Sequence, residues 1–177
     1  MGTPEFAVPT LDILYKNYNV IGVFTQPPRP SGRGMKEIKS SIQQYSEKNK
    51  LNFYTPNKLK NDETLGLLKS LNPDLIVVVA YGLLIPEVIL KIPSYGCING
   101  HASLLPKWRG AAPIQRAIEA GDIKTGCTSM LMEKGLDTGP MIHKKEILIK
   151  IDNDVIDLFK SLSFLTAELS LIHISEP

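Results

Sequence analysis

Leu75-Ile76-Val77-Val78-Val79-Ala80 constrains the fold of this chain more than any other segment. It is an unbroken apolar run, mostly β-branched, preceded by Pro73 and followed by Tyr81-Gly82. Such a strand has no polar face to present to water, so it is expected inside a parallel sheet covered on both sides. The neighbouring segments supply the covering helices. Leu11, Leu14 and Tyr15 suit one face of a short helix after Pro9, and Asn19 to Thr25 reads as a buried strand stopped by Pro27 and Pro28. Ile38, Ile42 and Tyr45 fall at helical spacing and predict a helix running to about Lys50. Phe53 to Thr55 reads as a strand, Thr64 to Leu71 as a helix, Pro86 to Leu90 as a helix, Cys97 to Asn99 as a strand and Ile114 to Ala120 as a helix. After Gly126 the pattern changes to two strands, Cys127 to Met132 and Met141 to Ile149, and Asp152 or Asn153 is placed to cap a last helix. This alternation predicts an α/β fold with a doubly wound, mostly parallel, Rossmann-like sheet.

Within that frame, Asn99-Gly100-His101 ends a predicted strand and runs into Ser103-Leu104-Leu105-Pro106 and Lys107-Trp108-Arg109-Gly110. Residues two apart on a strand share a face, so the amide of Asn99 and the imidazole of His101 point the same way. An amide donor beside an imidazole suits acyl transfer, where one holds a developing oxyanion and the other handles a proton. The end of a strand beneath a stiff loop is also where open α/β sheets place their sites. Taken alone, His101 is more often a hydrogen-bonded structural residue, and Asp137 reads first as the cap of a turn at Thr138-Gly139. His143 and His173 lack any comparable context and read as structural or surface residues. No His or Cys cluster has metal-ligand spacing, and Ser31-Gly32-Arg33-Gly34 lacks the ending of a phosphate loop.

Composition narrows the partners. A net charge of +2 over 177 residues does not make the whole surface a polyanion-binding one, so any basic contact must be local. Arg29, Arg33, Lys36 and Lys39 cluster against only Glu37, among prolines and glycines that favour an extended loop. Cys97 and Cys127 are isolated and follow no secretory signal, which predicts reduced thiols and a cytoplasmic location. The longest apolar run is far too short to span a membrane. The chain opens on a turn and a helix, so the central first strand is expected to be missing and the domain incomplete, with 171–177 an atypical tail.

Five segments in order carry a resemblance. Gly2-Thr3-Pro4-Glu5-Phe6-Ala7, the basic loop Gln26 to Gly34, Asn99-Gly100-His101, the stretch Ser103 to Pro113 and Leu136-Asp137-Thr138-Gly139 are similar to those of the formyltetrahydrofolate-dependent formyltransferases. The resemblance covers Gly2 to about Glu168, with residues 1–170 as the catalytic domain and the family's C-terminal barrel domain absent from the chain. It implies that an amine attacks the formyl carbon of 10-formyltetrahydrofolate, the cosubstrate, with no metal. It further implies Asn99 as the oxyanion donor, His101 as its partner and proton handler, and Asp137 as the carboxylate that orients the imidazole. Ser103, Leu104, Leu105 and Pro106, together with Tyr81, Gly82 and Leu83, are implied to contact the folate. The basic loop resembles that of the tRNA-directed members. It implies initiator methionyl-tRNA as acceptor, held by Arg29, Arg33 and Lys36 with Lys107, Arg109 and Arg116 extending the positive path, in a monomeric protein. A small amine such as an amino sugar nucleotide or glycinamide ribotide is the alternative acceptor, and a folate- or RNA-binding module without turnover the alternative class. Gly100 and Ala102 depart from the family pattern, which has an apolar residue and then a glycine or proline there.

Overall fold

The computed structural model describes residues 1–31, 36–150 and 152–175. A 3₁₀ turn (Glu5–Ala7) leads into α1 (Val8–Asn17) and β1 (Val23–Phe24). β2 (Arg29–Ser31) and β3 (Lys36–Ile38) follow, then α2 (Ser41–Lys48), β4 (Phe53–Tyr54) and α3 (Asp62–Leu71). The second half holds β5 (Ile76–Val78), α4 (Glu87–Leu90), β6 (Cys97–His101), α5 (Pro113–Glu119), β7 (Lys124–Leu131), β8 (Met141–Leu148) and α6 (Val155–Ser175).

The parallel character expected from the apolar run holds for two strand pairs, while the β2–β3 ribbon is antiparallel. β1 pairs with β4 and β5 with β6, both parallel. Between these pairs lie Met1 and Gly2. The Gly2 N–H donates to the Phe24 carbonyl at 3.0 Å, Val79 N–H donates to the Met1 carbonyl at 2.9 Å, and Gly2 bridges Val79 in parallel. A Cβ on Gly2 would lie 2.7 Å from that of Ala7, so only glycine fits this lane. The change of pattern after Gly126 is a change of direction: β7 runs antiparallel to β6, and β8 antiparallel to β7.

Helix boundaries follow their caps. The Ser40 hydroxyl accepts the Gln43 N–H at 3.0 Å and starts α2 at Ser41. Ile38, expected in that helix, therefore lies in β3 and is exposed. The last helix is capped by Asp154 rather than Asp152 or Asn153: Asp154 and Asp157 exchange side-chain-to-backbone hydrogen bonds at 2.8 and 3.3 Å. The helix then continues to Ser175, into the stretch 171–177 expected to be an atypical tail. Leu158, Leu162, Leu165 and Leu169 recur along one face of α6 and are buried with Phe6, Leu11 and Cys127. Each such leucine contributes about 1.5–3 kcal/mol by burial. Among the described residues no helix is long and apolar enough to cross a membrane.

Candidate active site

β6 carries the site because it is the strand where the two pairing modes meet. Val78 of β5 aligns with Asn99 on one side, and Thr128 of β7 aligns with His101 on the other. Strand alternation puts Asn99 and His101 on one face and Gly100 on the other, where a Cβ would come within 2.5 Å of Thr166 in α6. The departure from the family pattern at Gly100 thus falls on the helix-facing side of the strand.

The loop after β6 is clamped by β7. The Thr128 hydroxyl donates to the Ser103 carbonyl at 2.7 Å and accepts the Leu105 N–H at 3.0 Å. The Ser103 hydroxyl donates to the Lys107 carbonyl at 2.6 Å, and the Lys144 ammonium donates to the Leu105 carbonyl. Ser103 and Leu105 are buried, Leu104 lies over Gly126 and Pro106 is exposed. None of these four, expected as folate contacts, is among the residues lining the cleft described below. The bonds made by Ser103 and Leu105 fix the loop.

Asp137 arrives from the loop joining β7 to β8. Its φ of 50° is left-handed, a region aspartate enters more readily than most residues. Gly139 lets that loop close, since a Cβ there would lie 1.8 Å from the Leu131 carbonyl oxygen. The carboxylate then gathers three groups. Asn99 Nδ2 donates to Oδ1 at 3.2 Å, Gly110 N–H donates to Oδ2 at 2.8 Å, and His101 Nδ1 faces Oδ2 at 3.7 Å. The other ring nitrogen, Nε2, lies 2.9 Å from the Trp108 carbonyl oxygen. Both imidazole nitrogens therefore face oxygen atoms of neighbouring residues. The His101 and Asp137 side chains are 9% and 11% exposed, so water competes little for these contacts. The Asn99 amide carries two hydrogens, and only one is directed at Asp137.

Asn99, His101 and Asp137 line one wall of a cleft of about 550 Å³. Tyr81, Gly82 and Leu83 line it too. Leu84 and Leu136, at 82% and 59% exposed, form apolar lips. The Tyr81 carbonyl accepts from Thr3 Oγ1 and Gln26 Nε2, both at 2.8 Å, which ties the cleft wall to the base of the β2–β3 ribbon. Arg29 and Lys36 are exposed on that ribbon, in antiparallel arms rather than an irregular loop, while Lys39 is bound to Glu47 at 2.8 Å. Arg33 lies outside the described residues. Arg109 and Arg116 are exposed, and the Lys107 ammonium is held by Asp122 at 2.6 Å. Both cysteines are buried free thiols pushed up to about 12 by desolvation. Among the described residues no group of three or more His, Cys, Asp or Glu is placed to hold a metal.

Two participants escape sequence reading. Thr128 and Asp122 have no motif around them; strand register alone would have placed Thr128 beside the loop. The stretch 133–135, which lines the cleft ahead of the Leu136–Gly139 segment, also carried no signal beyond its closeness to that segment.

The family model described as "Formyl transferase" matches residues 1–172. The chain belongs to the formyl transferase family. A methionyl-tRNA formyltransferase from Alkaliphilus metalliredigens is 53% identical over 169 residues, covering 95% of this chain and 54% of that protein. One from Idiomarina loihiensis is 48% identical over 168 residues, covering 94% and 53%. The chain thus spans about half the length of these relatives. Among solved structures, a phosphoribosylglycinamide formyltransferase from Streptococcus pneumoniae superposes with a TM-score of 0.81 at 17% identity, covering 98% of this chain and 94% of that one. A sugar N-formyltransferase from Shewanella superposes with a TM-score of 0.65 at 17% identity, covering 97% and 61%. At these identities the likeness is one of fold, and this formyl transferase chain shares the Rossmann-like sheet with both.

Proposed function

We propose that this protein transfers the formyl group of 10-formyltetrahydrofolate to the α-amine of methionyl-initiator tRNA, in the cytoplasm and as a monomer. The observation that carries the reading is the meeting of Asn99, His101 and Gly110 on the Asp137 carboxylate at the wall of an apolar cleft. In the reaction a new bond forms between the amine nitrogen and the formyl carbon, and the bond from that carbon to the folate nitrogen breaks. The proton lost by the amine ends on the departing nitrogen. Asn99 donates its remaining N–H to the oxygen on which negative charge develops. His101, held between Asp137 and the Trp108 carbonyl, stabilises the same charge or relays the proton. Asp137 keeps both groups aimed.

Tyr81, Gly82 and Leu83, with the lips Leu84 and Leu136, would take the flat ring of the folate. Ser103 to Pro106 act on it indirectly, by fixing the loop that holds His101. Arg29, Arg33 and Lys36 would lie along the phosphates of the acceptor arm, with Arg109 and Arg116 beyond them. Relatives named methionyl-tRNA formyltransferase at about half identity support the acceptor over a small amine. The test is formyl transfer to methionyl-tRNA in competition with glycinamide ribotide and an amino sugar nucleotide. Label is expected on the aminoacyl-tRNA; label on either small amine alone overturns the reading.

A further inference from the structure

Asp122 stands in the turn between α5 and β7, its backbone N–H fixed to the Ala117 carbonyl at 3.0 Å. It belongs to no motif and touches none of the three groups above, yet each oxygen of its carboxylate has a partner. Oδ2 accepts the indole N–H of Trp108 at 2.7 Å, and Oδ1 accepts the Lys107 ammonium at 2.6 Å. That ammonium also lies 5.3 Å from the centre of the indole ring, so the carboxylate holds both halves of a cation–π pair. Trp108 needs this support, because its φ of 59° is a left-handed conformation that bulky residues seldom hold. The same residue turns its carbonyl toward His101 Nε2 at 2.9 Å. A chain of direct contacts therefore runs from Asp122 through the indole and the strained backbone to the imidazole.

We propose that Asp122 is a positioning residue for His101, acting through Trp108 to hold the carbonyl that sets the imidazole's orientation; as a statement about catalysis this rests on the formyl-transfer reading. The carboxylate grips the indole, the indole fixes the backbone, and the backbone carbonyl presents one acceptor opposite the one supplied by Asp137. Outer partners of this kind keep a catalytic group within the narrow range of productive geometries.

The test uses Trp108→Phe, which keeps an aromatic ring but removes the N–H, and Asp122→Asn, which keeps the shape but removes the charge, both in the full-length protein. Circular dichroism and melting establish folding, and if Asp122→Asn does not fold then Trp108→Phe decides alone. The ¹⁵N resonances of the His101 ring, assigned by their loss in His101→Gln, are expected to move in both variants. With methionyl-tRNA as acceptor, kcat is expected to fall about ten-fold while KM for the formyl donor stays within about two-fold. Unmoved His101 resonances in a folded variant, or moved resonances with wild-type kcat, overturn the proposal. The nitrogen signals need no substrate. If the wild type transfers no formyl group, the function reading fails and those signals still decide the positioning.

Discussion

Asp137 Oδ1 accepts the Asn99 amide at 3.2 Å across 38 residues of sequence, while its other oxygen takes the Gly110 N–H at 2.8 Å. The carboxylate is an acceptor on every side. Asp137→Asn keeps the shape but sets an N–H against one of these donors and removes the charge facing His101. Formyl transfer is expected to fall by about 10²–10³, the usual cost of losing an oxyanion donor's alignment, with little change in melting temperature. Steady-state assay of Asp137→Asn beside Asn99→Ala checks this, and turnover near wild type in Asp137→Asn contradicts the assigned role.

Gly100 predicts a coupled pair. A methyl group there would meet Thr166 Cγ2 at 2.5 Å, so Gly100→Ala must push α6 outward. We expect a loss of about 1–3 kcal/mol in urea unfolding, the usual range for overpacking. Thr166→Ala removes the obstructing methyl together with the hydroxyl bonded to Cys127 and Leu162. The double variant is expected to be more stable than the sum of the singles by at least about 0.5 kcal/mol; strict additivity would show that the strand and helix do not meet here.

The Lys107 ammonium, and after it the Trp108 N–H, hold the Asp122 carboxyl below its ordinary value of 3.8. The folded value is the depressed one, so this interaction contributes stability above about pH 4 that is lost as the pH falls through the folded value. Acid unfolding should therefore be steeper below about pH 4 in the wild type than in Asp122→Asn. Parallel curves for the two proteins would show that the carboxylate contributes no such linkage.

The ribbon predicts a salt effect. Arg29 and Lys36 are exposed on its two arms. If each neutralises one phosphate, Arg29→Ala or Lys36→Ala lowers the slope of log affinity for methionyl-tRNA against log salt by about one. Affinity for the formyl donor should not change. Filter binding at several salt concentrations reads the slope, and an unaltered slope removes the residue from the interface.

Much of this architecture could be read from residue order, and the failures have identifiable causes. The apolar run at 75–80 marked β5 because its burial on both faces is written in composition. Asn99 and His101 were legible because a strand's two-residue period fixes their common face. Asp137 depended on resemblance, since nothing local distinguishes an aspartate that caps its own turn from one that reaches another strand. Ile38 was misplaced because helical spacing alone ignored the Ser40 cap. Ser103 to Pro106 were assigned to the folate by resemblance; that the bonds to Thr128 turn Ser103 and Leu105 inward was not legible, because register is a property of two strands rather than of one.

The antiparallel pairing of β6 with β7 has a kinetic consequence. Asp137 can reach Asn99 only after β7 has docked on β6, a contact between segments distant in the chain. Pairing strands across such a separation is slow compared with forming helices. During refolding, catalytic competence should trail the recovery of helical ellipticity, so the appearance of product serves as a clock for the last strands to join the sheet.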